Sequence, residues 1–145
     1  PMVGFALMLV FLGGAVGKAA CGWLGARFGV LATVLVTEIG TAVAILAVIH
    51  LPLWPALLIL PVLGVMLNGT SSVLYGTVPE LAPPGWEARA FAVFYTGTIG
   101  SGALSPVLYG LIGDAAGPGW GATAAAVAAL LTCPLALVLA PRLPR

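Results

Sequence analysis

Two ionisable residues, Lys18 and Glu38, stand inside apolar stretches that are long enough to cross a bilayer. A charge at membrane depth is costly, so such residues are candidates for function. Lys18 and Glu38 lie at similar distances from Arg27, and two antiparallel helices joined there would place them within about 3 Å in depth. Three interpretations stay open: an ion pair, a lysine that extends to the interface beside a locally satisfied glutamate, or direct proton coupling.

A second set of polar residues falls on one face of a single predicted helix. The set is Asn68, Ser71, Ser72 and Tyr75. Their spacing of three and four residues puts them on the same side of an α-helix. Inside a membrane, such a stripe should face the bundle interior or an aqueous cavity. It could contact a substrate through hydrogen bonds, or it could hold neighbouring helices together.

The following predicted helix carries further polar tips among apolar residues. They belong to Tyr95, Thr98, Ser105 and Tyr109. These side chains are candidates for lining a substrate path. For the two tyrosines, anchoring at the membrane interface is the alternative, because their rings are amphipathic.

Two predicted helices also carry small residues at every fourth position. The sets are Gly13, Gly17, Cys21 and Gly25, and Thr98, Gly102, Pro106 and Gly110. Small residues at this spacing let two backbones approach closely, so we interpret both as packing surfaces. Pro106 is in addition a candidate kink for a helix that moves.

The sequence lacks the residue patterns of several kinds of functional site. His50 is the only histidine, and Cys21 and Cys133 stand far apart, so we predict no metal site, no cofactor and no disulfide framework. A phosphate-binding loop and a catalytic cluster are missing as well, and we predict that the protein is not an enzyme. A net charge of +1 gives no basic surface for nucleic acid.

The composition specifies the elements that must position these residues. The chain has 145 residues, of which 6% are charged and 61% are hydrophobic. Soluble domains carry roughly 25% charged residues, so this composition excludes them. The apolar stretches are continuous and do not alternate, which favours helices over a membrane barrel. The predicted fold is therefore an all-α bundle in a lipid bilayer.

Five membrane-spanning helices fit within the chain, which we treat as one domain over residues 1–145. The predicted spans are about 2–24, 30–49, 53–77, 90–112 and 120–140. The first and second spans are separated by a tight turn at 25–29, the third and fourth by a polar loop at 78–89, and the fourth and fifth by a Gly/Pro turn at 114–119. Pro61 lies inside the third span and predicts a kink.

The basic residues indicate an orientation. Arg27, Arg89 and the tail with Arg142 and Arg145 fall on one side of a five-span arrangement. That side should be cytoplasmic, and the protein should lie in a plasma (inner) membrane. Because the two ends of the chain then lie on opposite sides and position 1 is not Met, we expect a piece of a longer protein.

The segment 22–29 resembles the cytoplasmic loop signature of the major facilitator superfamily. Gly22, Leu24, Arg27 and Gly29 match that signature in type and spacing, whereas Ala26 replaces its acidic residue. The later segments 78–83 and 110–114 are similar to the stretch that joins helices ten and eleven of such transporters. The resemblance covers essentially the whole chain.

This resemblance implies helices eight to twelve of a twelve-helix secondary transporter, with the N-terminal half missing. It implies a small-molecule substrate that moves by alternating access, a proton as the coupling ion, and efflux of drugs or metabolites. Two alternatives remain. One is a structural or assembly subunit of a membrane complex, and the other is a membrane-embedded enzyme, for which the sequence offers few catalytic groups.

Overall fold

A computed structural model describes residues 2–143 of the chain, and nearly all of them are helical. The long helices are α1 (Met2–Phe28), α2 (Val30–His50), α3 (Leu53–Leu81), α4 (Glu87–Ala116) and α5 (Pro118–Leu139), followed by a short 3-10 helix, Ala140–Arg142. Each of the five is long and apolar enough to cross a membrane. The predicted all-α fold is confirmed, and the five apolar helices indicate a multi-pass membrane protein.

Two of the predicted turns are shorter than expected, because the helices run further. α1 stays helical through Phe28, and Gly29 alone separates it from α2. Gly117 separates α4 from α5 in the same way. Both glycines have positive φ, 89° and 107°, which a residue without Cβ adopts at little cost. One such residue reverses the chain, so the neighbouring residues can keep their helical hydrogen bonds.

The polar loop predicted at 78–89 is also shorter than expected. α3 continues to Leu81 and α4 begins at Glu87, which leaves 82–86 as the connection. Within it, the Gly85 N–H donates to Glu87 Oε1 at 3.0 Å. α3 and α4, of 29 and 30 residues, are therefore about 42–45 Å long. They exceed the hydrocarbon core of about 30 Å, so they tilt or extend beyond it.

α3 is the central helix of the bundle. It packs most extensively against α1 and next against α2, whereas α1 and α2 contact each other only slightly. α5 packs against α2 and α4, and the contact between α3 and α4 is small. α1, α2 and α3 thus form the densest part of the protein.

Glycines bring the backbones of α1 and α3 into contact. A Cβ on Gly13 would collide with the Pro61 carbonyl group, and one on Gly17 would lie 2.5 Å from the Val65 carbonyl oxygen. A Cβ on Gly64 of α3 would in turn collide with the Val10 carbonyl oxygen. The predicted close packing along Gly13, Gly17, Cys21 and Gly25 is present, and α3 is the helix that occupies it.

α2 joins α3 through a hydroxyl contact and an apolar cluster. Thr37 Oγ1 and Thr70 Oγ1 lie 2.6 Å apart, and both residues are buried. Val30, Val34 and Val73 pack together one to two turns away. Residues of α5 and of the chain beyond it cover this cluster, so α5 is tied to the same core.

α4 differs from the other helices, because none of its residues is buried. A Cβ on Gly102 or Gly110 would meet nothing within 4 Å. Within the packing surface predicted along Thr98, Gly102, Pro106 and Gly110, the two glycines therefore have no close neighbour among residues 2–143, whereas Thr98 is half-buried. Spacing by four permits close approach but does not supply the second helix.

Candidate functional site

The polar stripe of α3 extends from a contact with α1 to a contact with α4. Asn68, at one end, lies against Gly14 of α1, where a Cβ would be 2.5 Å from Asn68 Nδ2. Tyr75, at the other end, packs against Phe94 of α4 at a ring-centroid distance of 5.8 Å. Ser71 and Ser72 lie between, and all four stripe residues are half-buried. The structure thus brings the predicted stripe to one surface between α1 and α4.

Within this stripe, the side-chain hydrogen bonds stay in α3. Asn68 Nδ2 donates to the Gly64 carbonyl at 3.1 Å. The Ser71 and Ser72 hydroxyls both donate to the Asn68 carbonyl, at 3.0 and 3.1 Å. The hydroxyl oxygens keep lone pairs that can accept further hydrogen bonds. Hydrogen bonds from the stripe to another helix are not seen among the described residues, and its residues are only half-buried.

An aromatic cluster closes one end of the stripe. Tyr75 lies 6.0 Å from Phe91 and 5.9 Å from Tyr95, and Phe91 stacks on Tyr95 at 6.0 Å. Such pairs are favourable by about 0.5–1.5 kcal/mol beyond the area they bury. The cluster joins the beginning of α4 to α3, and it brings together two predicted path residues, Tyr75 and Tyr95.

The remaining predicted residues of α4 lie along its least exposed side. Thr98, Ser105 and Tyr109 are half-buried. Thr98 donates to the Phe94 carbonyl at 2.9 Å and Ser105 to the Ser101 carbonyl at 2.7 Å. With Phe91 they recur at helical spacing, so one side of α4 carries them all. Tyr95 is more exposed, at 47%.

Lys18 and Glu38 lie on opposite flanks of α3. A groove between α1 and α2 is lined by Ala20 and by Val36. Lys18 precedes Ala20 by two residues and Glu38 follows Val36 by two, so each is turned by about 200° away from that groove. Helical geometry thus turns the two side chains toward different sides of α3. The ion pair stays a prediction that this arrangement does not favour.

The loop-signature residues surround the end of α1. Gly22 and Gly29 line a cavity of about 300 Å³ together with Ser72 and Glu80 of α3. Leu24 faces the groove toward α2 instead. The Arg27 guanidinium lies over the Trp23 ring, 5.4 Å from its centroid. The signature therefore places a cation at the helix end and glycines where α1 borders α3.

Buried threonines were not singled out from the sequence. Thr33, Thr37, Thr41, Thr70 and Thr77 are all buried. Thr33, Thr37 and Thr41 recur every fourth residue, which is the signal that identifies them in hindsight. Among residues 2–143, the side-chain hydrogen bond between neighbouring helices is the one between Thr37 and Thr70, and not one from the α3 stripe.

No family model, curated protein or solved structure matches the chain.

Proposed function

We propose that this chain is part of a secondary transporter that moves a small solute across a membrane by alternating access. The observation that carries the proposal is the polar stripe Asn68, Ser71, Ser72 and Tyr75, with its side-chain acceptors available between α1 and α4. Polar groups at membrane depth are costly unless they face protein or an aqueous path. A substrate path along α3 would explain why these polar residues lie at membrane depth.

The open side of α4 supports the same proposal. Pro106 has no N–H, so the Gly102 carbonyl lacks its usual helical donor. An unsatisfied carbonyl in hydrocarbon costs several kcal/mol, so this side suits further protein or a water-filled cavity better than lipid. We propose that the chain corresponds to helices eight to twelve of a major facilitator transporter, and that other helices of the same protein cover α4.

The proposed orientation follows from the charged helix ends. Arg27 lines one cavity with Ala140 and Leu143, so the end of α1 and the end of α5 share a side of the bundle. Arg142 lies in the short helix at that end. By the positive-inside rule this side is cytoplasmic in a plasma (inner) membrane. A proton gradient as energy source and efflux as direction come from the family resemblance.

Flux measurements test the proposal directly. The protein at its full natural length is reconstituted in proteoliposomes, and a panel of labelled solutes is screened under an imposed pH gradient. We expect at least one solute to move in a gradient-dependent way that a protonophore abolishes. Folded protein that moves no solute above empty liposomes contradicts the proposal.

A matched pair of substitutions links that flux to the site. Thr98→Val removes a hydroxyl on the α4 side that carries the predicted path residues, whereas Thr123→Val removes one from α5. Both hydroxyls donate to a carbonyl four residues earlier in their own helix, at 2.9 and 2.8 Å. We expect several-fold slower flux for Thr98→Val and wild-type flux for Thr123→Val.

A static membrane subunit is the second candidate, and the interlocked backbones of α1 and α3 favour it. Cross-linking separates the two. Cysteines at positions 75 and 94 join α3 to α4 where Tyr75 and Phe94 are in contact. In a transporter, the disulfide cross-link should stop flux, and its reduction should restore flux. In a structural subunit, assembly of the membrane complex should be the same with and without the cross-link.

A further inference from the structure

We infer that the site binds an organic anion and that Lys18 supplies the opposing charge. The inference rests on the proposed transport function and names the class of solute. Its basis is the position of Lys18 relative to the polar stripe of α3, together with the positions of the acidic residues.

Lys18 lies on the row of α1 that borders the stripe. One turn before it, Gly14 contacts the Asn68 side chain. One turn after it, Gly22 lines the cavity that includes Ser72. Residues four apart lie on the same side of a helix, so Lys18 stands between the contact at Gly14 and the cavity at Gly22. Its own side chain is exposed, so neither α1 nor α3 covers it.

The direction of the side chain favours the site over the near membrane surface. In a helix the Cα–Cβ bond tilts toward the N-terminus. For Lys18 that direction leads away from Arg27 and from the nearer end of α1. An ammonium group that extended to that interface would have to turn back along its own helix. The lysine is therefore better placed to act at depth.

Carboxylates lie elsewhere in the chain. Glu38 is on the other flank of α3, and Glu87 and Asp114 lie in the first and last turns of α4. Glu80 lines the outer part of the cavity shared with Gly22, but it is two helical turns from Ser72. Lys18 therefore faces neutral hydrogen-bonding groups. A cation among such groups at low dielectric strongly favours an anionic ligand.

The aromatic cluster defines the rest of the ligand. Tyr75 follows Asn68 by two turns, so an anionic group at Lys18 and Asn68 places the body of a ligand beside Tyr75 and Tyr95. Aromatic rings stack well on such surfaces. The class that fits both ends is a carboxylate or sulfonate attached to an aromatic body.

Matched neutral and anionic probes test this class. The full-length protein in phosphatidylcholine nanodiscs is titrated with benzoate, 2-naphthoate and indole-3-acetate and with their carboxamides, and binding is measured by equilibrium dialysis. We expect at least one carboxylate to bind about tenfold or more tightly than its amide, since charged hydrogen bonds are the stronger ones. Equal binding within every pair overturns the inference.

Substitutions then assign the preference to Lys18. Lys18→Gln should abolish it and Lys18→Arg should retain it. Arg89→Gln is the control, because it also removes a positive charge but lies in the first turn of α4, outside the stripe. A preference that survives Lys18→Gln overturns the assignment. If Lys18→Gln does not fold, the wild-type comparison of each acid with its amide still decides whether the site selects anions.

The flux and binding experiments can refute the transport proposal and the anion-binding inference independently of each other. Binding at equilibrium needs no gradient, so an anion preference without flux leaves the site standing and refutes the transporter. Flux without an anion preference refutes the site and leaves the transporter. A carboxylate from another segment that neutralises Lys18 would abolish the preference and make Lys18→Gln destabilising, which also overturns the inference.

Discussion

α1 and α4 carry the same sequence pattern and have opposite surroundings. Both have small residues at every fourth position. In α1, a Cβ on Gly13 or Gly17 would strike the backbone of α3, whereas in α4 a Cβ on Gly102 or Gly110 would meet nothing within 4 Å. Small residues at every fourth position indicate that another helix can approach closely. Only the tertiary structure shows whether one does.

The difference has a functional side. α1, α2 and α3 are held by backbone contacts and by the contact of Thr37 with Thr70, and these leave little freedom for relative movement. α4 is attached to α3 mainly through the aromatic cluster around Tyr75 and to α5 near Gly121. In the proposed transporter, a rigid unit beside a loosely attached helix would allow the two ends of a path to open in turn.

The largest effect is expected where the same substitution is made in both regions. Gly64→Ala adds a Cβ that collides with the Val10 carbonyl of α1, and we expect a loss of about 2–3 kcal/mol in the free energy of unfolding. Gly110→Ala adds a Cβ in open space and should be neutral or stabilise by up to about 1 kcal/mol. Unfolding by SDS in bicelles measures both.

A loss of stability for Gly64→Ala without a loss for Gly110→Ala confirms the comparison. Equal destabilisation would mean that a partner covers α4 at Gly110 as closely as α1 covers Gly64. If the full-length protein gives that result, the partner lies in another part of it, and the openness of α4 belongs to residues 2–143 alone.

The aromatic cluster gives the next largest effect. Tyr75→Leu removes three ring contacts between α3 and α4, and we expect a loss of about 1–2 kcal/mol. Hydrogen exchange should rise in the first turns of α4 while α1 stays protected. Phe11→Leu serves as control, because Phe11 is 73% exposed and its loss should change little.

The hydroxyl contact within the rigid region gives a smaller effect. Thr37→Val removes the bond to Thr70, and we expect a loss of about 1 kcal/mol, as for other hydrogen bonds between membrane helices. The double substitution with Thr70→Val should reveal a coupling of about 0.6 kcal/mol. Additive effects would show that each threonine bonds only within its own helix.

The smallest effect is expected in the connection that precedes α4. The Arg89 guanidinium lies over the Trp86 ring, 4.8 Å from its centroid, an exposed cation–π contact of about 0.5 kcal/mol. Arg89→Gln should change the Trp86 fluorescence but barely alter unfolding. Arg89→Lys, which keeps the charge, should restore part of the signal. A large loss of stability would mean that this connection, and not the aromatic cluster, fixes α4.

Much of the fold was predictable, because it follows from composition. With 6% charged residues and continuous apolar stretches, only backbone-satisfied helices in a membrane remain. The ends of the helices were harder to predict. Gly117 and Gly29 each reverse the chain alone, so turns that the sequence suggested over several residues are single residues in the structure.

The candidate site was predictable in part. The α3 stripe shares one face because helical period alone requires it, and Tyr75 and Tyr95 do meet. The similar depth of Lys18 and Glu38 rests on helical rise alone and stays a prediction. The directions in which the two side chains point could not be predicted, because they depend on how α3 packs against α1 and α2. The depth of a residue in the membrane depends on its position along one helix, whereas the direction of its side chain relative to a neighbouring helix depends on how the helices pack.

The sequence by itself determined that this protein is a bundle of apolar helices, which residues share a helix face, and where small residues permit close approach. These are properties of one helix in a membrane. Only the tertiary structure decided that α3 occupies the glycines of α1, that Thr37 meets Thr70, and that α4 stays open. The reason is that packing between helices depends on shape complementarity between segments distant in sequence, which no local pattern contains.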